Sequence, residues 1–257
     1  MEHLRRSARL LASVMNDDEA RLVASLGADI IDAKNPLAGA LGALAPEVVT
    51  EIRAAVPRGI PVSATIGDPV EDVEATVSAV RTMAGAGADV VKIGLSRSSV
   101  VDRTLTAVGA LELGHARLVG VLLADEGIEL DLVAMAREAG FIGLMLDTAD
   151  KGRGALPDIV AADKLRGFVT ATHAAGMFAG LAGSLRVEHV NQLLRLEPDV
   201  LGFRGGLCRQ GERTARIDAD AVLSVRRIIP VCDAAWADAC GWPLPGAMAP
   251  GTAKDVA

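Results

Sequence analysis

Asp32 and Lys34 stand two residues apart at the end of the apolar run DIIDAK (29–34). Side chains alternate faces along a strand, so these two share one face while Ile31 and Ala33 take the other. Lysine is rarely buried unless it is paired or employed. An amine beside a carboxylate is the equipment for Schiff-base chemistry on a carbonyl, with the lysine as nucleophile and the carboxylate as its partner in proton transfer. Similar residues recur further along, with Lys92 inside DVVKIG (89–94) and Asp147, Thr148 and Lys151 in LMLDTADK (144–151). Of the 26 basic residues only five are lysine: Lys34, Lys92, Lys151, Lys164 and Lys254. An arginine does not give up its proton under ordinary conditions, whereas a lysine amine can be tuned to do so. Ammonium groups gathered in a partly desolvated place push one another toward the neutral, nucleophilic form.

Those side chains need a scaffold that brings distant segments to one place. Strands are predicted at 9–14, 29–34, 61–66, 89–94, 117–124, 141–147, 177–183 and 200–205, each followed by a helical pattern. Asn16 and Asp17 cap the first helix and Pro46 opens the second. One continuous helix is expected over DIVAADKLRGFVTATHAAG (158–176), and another over VEHVNQLLRL (187–196). Eight strands alternating with eight helices predict an α/β fold, a single-domain (β/α)8 TIM barrel over 9–231. GADIIDAK and GADVVKIG look like two copies of one unit, as a repeated architecture allows. A doubly wound nucleotide-binding sheet is disfavoured, because SVMNDDE after the first strand is not a glycine-rich turn. From 232 to 257 the chain turns rich in alanine, glycine and proline, a short irregular C-terminal tail holding Trp236 and Trp242.

In such barrels the active site lies at the C-terminal ends of the strands. That rule gathers Ser13 from the first strand, Asp32, Lys34 and Asn35 from the second, and Ser63, Thr65 and Asp68 from the third. Lys92 comes from the fourth, Asp125 and Glu126 from the fifth, and Asp147, Thr148 and Lys151 from the sixth. LAGSL (181–185) and GFRGGLC (202–208) follow the seventh and eighth strands, where barrels often bind phosphate through backbone N–H groups. Gly183, Ser184, Arg204, Gly205 and Gly206 are the candidate phosphate ligands there, with Ser13, Asn35 and Thr65 as further substrate contacts. His173 and His189 read as packing or surface residues. Asp125–Gly127 lacks a histidine neighbour, and no metal is expected.

Composition narrows the partners. The formal net charge is −7, which disfavours a nucleic-acid partner. No apolar run reaches the roughly 18 residues of a membrane span. Three cysteines, Cys208, Cys232 and Cys240, follow no metal-ligand spacing and are odd in number, which points to a reduced, cytoplasmic protein. The tryptophan-bearing tail suggests a subunit contact, and a homo-oligomer is expected.

With these residues assembled, the sequence resembles the (5-formylfuran-3-yl)methyl phosphate synthase family, also called 4-(hydroxymethyl)-2-furancarboxaldehyde-phosphate synthase. The stretches that carry the likeness are LLASVMNDDEA, GADIIDAKNPLAGALGA, PVSATIGD, GADVVKIGL, LMLDTADK, LAGSL and GFRGGLC, in order along the chain. The resemblance implies a (β/α)8 lyase without a cofactor. Such an enzyme condenses two molecules of glyceraldehyde 3-phosphate to a furan aldehyde phosphate, releasing phosphate and water, in the biosynthesis of a methanofuran-type cofactor. It further implies that Lys34 forms the Schiff base, beside Asp32, with Lys92, Asp147 and Lys151 as its catalytic companions. The loop GGLCRQGERTAR (205–216) departs from the family pattern in its arginine content. Two other functions fit the same residues: another class I aldolase or transaldolase on a sugar phosphate, and a non-catalytic barrel that binds a phosphorylated metabolite.

Overall fold

The computed structural model describes residues 8–69 and 71–230. Strands β1 (Arg9–Val14), β2 (Ile30–Ala33), β3 (Val62–Thr65), β4 (Val90–Leu95), β5 (Arg117–Leu123), β6 (Gly143–Asp147), β7 (Phe178–Leu181) and β8 (Val200–Phe203) form a parallel barrel in sequence order. β8 pairs back onto β1 and closes it. Around them run α1 (Asp17–Ser25), α2 (Pro46–Ala55), α3 (Val73–Gly85), α4 (Val101–Gly109), α5 (Asp131–Glu138), α6 (Leu156–Ile159), α7 (Ala162–Ala174), α8 (Val190–Leu194) and α9 (Ala219–Ile228). This is the expected (β/α)8 barrel. The boundary at 231 and the proposed tail, with Trp236, Trp242, Cys232 and Cys240, lie outside the described residues. Among the described residues no helix is long and apolar enough to cross a membrane.

Two expected helices form differently. The segment 158–176 is divided into α6 and α7 by an extended residue, Val160. Pro157 fits the first turn of α6, where its missing N–H costs nothing. The early start lets the Leu156 N–H donate to the Gly183 carbonyl at 2.9 Å, which ties α6 to the loop after β7. VEHVNQLLRL becomes a 3-10 turn, Val187–His189, leading into the short α8. Elsewhere the signals hold. Asn16 accepts the Glu19 N–H at 2.9 Å to cap α1, and Asp72 accepts that of Ala75 at 3.0 Å to cap α3.

The strands bury both faces. Outward residues pack beneath the helices, among them Leu10, Ile31, Val91, Leu146 and Leu201. Inward residues such as Leu11, Ile30, Val90, Val119, Phe178 and Val200 plug the lower barrel. Polar chemistry is thereby restricted to the upper end.

The floor of the barrel carries a repeated clamp. Asp29, at the start of β2, accepts the Leu10 N–H at 2.8 Å and pairs with Arg226 on α9 at 2.7 Å. Asp89, at the start of β4, accepts the Val62 N–H at 2.8 Å and pairs with Arg53 on α2 at 2.6 Å. Asp199, at the start of β8, accepts the Ala179 N–H at 2.8 Å and meets His173 on α7 at 2.6 Å. Asp89 and Asp199 each join the preceding strand to the helix that leads into it, and Asp29 joins β1 to α9, the last helix of the ring. Ile142 holds the corresponding place before β6, and its N–H donates to Leu118 as that of Asp29 does to Leu10. The likeness of GADIIDAK to GADVVKIG is therefore a repeated two-strand unit with a buried ion pair at its base. Removing one partner of such a pair strands the other charge away from water, at a cost of about 3–5 kcal/mol. Asp89→Ala is expected to lower the unfolding free energy in urea by about that amount, with the activity of the remaining folded fraction unchanged.

Candidate active site

Four inward side chains at the upper end form two buried ion pairs. Lys34 Nζ lies 2.9 Å from Asp147 Oδ2, joining β2 to β6 across the barrel. Lys92 Nζ lies 2.7 Å from Asp32 Oδ1, joining β4 to β2. Exposure is 8% for Lys34, 5% for Lys92 and 1% for Asp32. Lys151, from the loop after β6, reaches back to the other oxygen of Asp147 at 2.5 Å and to the Thr148 hydroxyl at 3.2 Å. The Thr148 N–H also donates to Asp147, at 2.8 Å. The partner of Lys34 is thus Asp147 on the far strand, and neighbouring Asp32 is taken by Lys92.

Three ammonium groups against two carboxylates leave the cluster one positive charge over if all are ionised. Burial pushes Asp147 up, but Lys34 and Lys151 outweigh it and hold the carboxyl well below its ordinary 3.8. Asp32 behaves alike, burial raising it and Lys92 and Lys34 bringing it below the usual range. Burial also pushes the Lys92 amine down from 10.5; Asp32 pulls it back and Lys34 adds to the descent. For Lys151 burial again leads, opposed by Asp147 and reinforced by Lys34, with a lowered value as the result. The cluster holds firm carboxylates, and its Lys92 and Lys151 amines shed protons more readily than free lysine.

Above the pairs opens a cavity of about 180 Å³, lined on one side by Ser13, Lys34, Asp147 and Lys151, and on the other by Gly183, Ser184, Gly205 and Gly206. Two glycines are required by contacts. A Cβ on Gly206 would stand 2.2 Å from the Leu185 carbonyl oxygen, so the loops after β7 and β8 meet backbone to backbone. Gly183 has φ +106° and would meet the Thr148 side chain at 2.8 Å. Ser184 follows at φ 50°, in the left-handed region. Lys92 lines a smaller space of about 20 Å³ beneath this cavity, together with Ser13, Asp32, Lys34 and Asp147.

Three expected ligands have other occupations. Arg204 Nη1 donates to Glu19 at 2.5 Å and to the Ser13 carbonyl at 3.1 Å; its Nε donates to the Arg213 carbonyl at 2.8 Å and Nη2 to that of Ala215 at 3.0 Å. These bonds seam the end of β1 to the loop after β8 and use the guanidinium donors. The Thr65 hydroxyl donates to the Gly42 carbonyl at 2.9 Å, and the Asn35 side chain accepts the Leu37 N–H at 3.0 Å. Both shape the loop after β2. Asp125 likewise accepts the Ala149 and Asp150 amides at 2.7 and 2.9 Å, tying two loops together. Cys208 is buried, and that burial pushes its thiol up to about 11.

Sequence reasoning passed over two cations. Arg186 and Arg213, from the loops after β7 and β8, line the cavity beside the glycines. Arg213 also spans the mouth, donating to the Gly39 carbonyl at 2.9 Å. The unusual arginine content of GGLCRQGERTAR is the signal for Arg213, while Arg186 directly follows LAGSL. Ser63 lies at this end as expected, and its hydroxyl donates to Asp32 at 2.7 Å.

Comparison with known proteins follows the same lines. A family model described as 4-HFC-P synthase matches residues 10–226. The (5-formylfuran-3-yl)methyl phosphate synthase of Methanococcus maripaludis strain S2 is 38% identical over 236 residues, covering 87% of this chain and 98% of that protein. That of Methanocaldococcus jannaschii is 34% identical over 232 residues, covering 85% and 98%. A Methylorubrum extorquens protein whose name assigns it the same activity provisionally is 40% identical over 230 residues, covering 88% and 95%. Among solved structures, phosphoribosyl anthranilate isomerase from Thermus thermophilus superposes with a TM-score of 0.60 at 18% identity, covering 84% of this chain and 96% of that one. A 3-hexulose-6-phosphate synthase gives 0.59 at 21%, covering 86% and 100%. These two likenesses show the barrel fold.

The shared carboxylate has a measurable signature. Because the folded state lowers the Asp147 pKa, its contribution to stability is present above 3.8 and is lost as pH falls toward the folded value. Asp147→Asn is expected to cost about 3–5 kcal/mol in urea unfolding at neutral pH. That deficit should hold down to about pH 4 and narrow below it.

Proposed function

The chain belongs to the 4-HFC-P synthase family, and we propose that it condenses two molecules of glyceraldehyde 3-phosphate to (5-formylfuran-3-yl)methyl phosphate through a Schiff base on Lys34. The observation that carries this reading is the Lys34–Asp147–Lys151 bridge at the floor of a cavity with a glycine- and arginine-lined wall. Asp147 bonds one lysine through each oxygen, so a proton held by one amine has a path to the other. Lys34, freed of its proton, attacks the aldehyde carbon of a triose phosphate, and loss of water from the carbinolamine gives the iminium. The iminium acidifies the adjacent carbon. Lys151, as the neutral amine, removes that proton, and the next carbon then expels its phosphate. The resulting enol carbon adds to the central carbon of a second triose phosphate in its keto form, which sets the phosphomethyl group as a branch on the future ring. Ring closure, dehydration and release of Lys34 by water complete the furan, whose aromaticity draws the later steps forward.

The phosphate sits on the backbone of Gly183, Ser184, Gly205 and Gly206, with Arg186 and Arg213 supplying charge. Lys92 lies too deep for that wall, and its pairing keeps the Asp32 carboxylate occupied beneath Lys34. Ser13, at the border of the two spaces, belongs to the deeper set. Arg204, Thr65 and Asn35 hold the frame of the site. The product feeds the synthesis of a methanofuran-type cofactor in a reduced cytoplasm, and the protein works as a homo-oligomer.

Glyceraldehyde 3-phosphate alone is expected to yield ultraviolet-absorbing product and free phosphate together. Lys34→Ala and Lys34→Arg should abolish both, and borohydride with substrate should leave a mass adduct on Lys34 only when the lysine is present. Substrate consumption without absorbance or phosphate would identify an aldolase instead. Lys151→Met is expected to slow turnover by about 10²–10⁴-fold, the usual contribution of an acid/base group.

A further inference from the structure

Asp32 accepts more hydrogen bonds than an ion pair needs. Its Oδ1 takes Lys92 Nζ at 2.7 Å and the Ser63 hydroxyl at 2.7 Å, and its Oδ2 takes the Ser13 hydroxyl at 2.8 Å. The serines come from β1 and β3, the strands on either side of β2, and the ladder sets both directly opposite Asp32. All four side chains are buried, Ser63 completely. Ser13 is further held in place where its carbonyl accepts from Arg204.

Lys34 stands two residues beyond Asp32 on the same face, about 7 Å along the strand, and its flexible stem is long enough to fold back over that distance. A bare Asp32 Oδ2 would compete with Asp147 for the Lys34 ammonium. We propose that Ser13 and Ser63 are positioning residues that occupy Asp32, so that it holds Lys92 and leaves Lys34 to the carboxylate it shares with Lys151. The groups that face Asp32 fit this division: Lys92 from β4 and the two hydroxyls are its direct partners, while Asp147 from β6 holds Lys34 and Lys151. Without the serines, the bare Asp32 Oδ2 draws Lys34 down beside Lys92, away from Asp147 and from the cavity. The inference deepens the proposed function and rests on it for the identity of the aldehyde. The pairing of the lysines stands on geometry alone.

The test reads the Lys34 amine directly. Reductive methylation with formaldehyde and cyanoborohydride, followed at Lys34 by peptide mass spectrometry across a pH series, needs no substrate. Ser13→Ala is expected to slow Lys34 labelling at pH 7 by roughly tenfold, the scale of a lost hydrogen bond to a charged group. Its profile should move to higher pH, and Ser13→Thr, which keeps the hydroxyl, should restore most of the rate. Ser63→Ala provides a second removal at the other oxygen, with urea unfolding of each variant as the check on folding. With glyceraldehyde 3-phosphate, kcat should fall more than KM rises. Labelling profiles unmoved in both alanine variants would overturn the proposal. So would losses equal at every pH that merely track lowered stability. If the wild-type protein makes no furan while the labelling shift is seen, the proposed reaction is wrong and the positioning role stands.

Discussion

One carboxylate between two lysines sets the terms for the rest of this molecule. Asp147 cannot neutralise Lys34 and Lys151 together, and Asp32 is committed to Lys92. A buried cluster with one cation too many is costly, and burial together with the neighbouring ammonium groups lowers the pKa of Lys92 and of Lys151 before any substrate arrives. Three barrel strands cooperate to hold that count, since the pairs cross from β2 to β6 and from β4 to β2. The apolar plug below and the closed backbone around it keep water from supplying an easier solution.

The mouth follows a different logic. Its glycine loops are close-packed against each other, with Gly206 against the Leu185 carbonyl and Gly183 against Thr148. This packing fixes the backbone that an anion would meet. The Arg213–Gly39 bond crosses from the loop after β8 to the loop after β2, so the loop that begins beyond Lys34 is joined to the glycine- and arginine-lined wall. Arg204 fastens the first strand to the last. Positional rigidity at the rim is thus bought with side chains that resemble ligands in the sequence.

That resemblance marks the limit of what the sequence discloses. The strands were legible because each is a short apolar run between turn signals, and strand order alone brought Lys34, Lys92, Asp147 and Lys151 to one end. Their partners were not legible. Pairing across a barrel depends on stagger and side-chain direction, and so the sequence leaves open whether Asp32 or Asp147 holds a given lysine. Arg204 and Thr65 carry donors suited to phosphate, yet whether a donor is free depends on Glu19, Ser13 and Gly42, which are remote in sequence. The break at Val160 was hidden because 158–176 is helix-compatible throughout, and a tertiary bond from Leu156 to Gly183 decides where the helix begins.

The clamps at the barrel floor give the site an ancestry in geometry. Asp32 and Lys92 each stand three residues beyond their clamp aspartates, Asp29 and Asp89; Lys34 and Asp147 each stand five beyond Asp29 and Ile142. Equivalent slots of the repeated unit thus carry opposite charges. A barrel of identical units would set lysine against lysine, or carboxylate against carboxylate, at both levels. Attraction across the barrel exists only because the copies differ, and the catalytic end of the molecule is the place where its internal symmetry has been broken by sign.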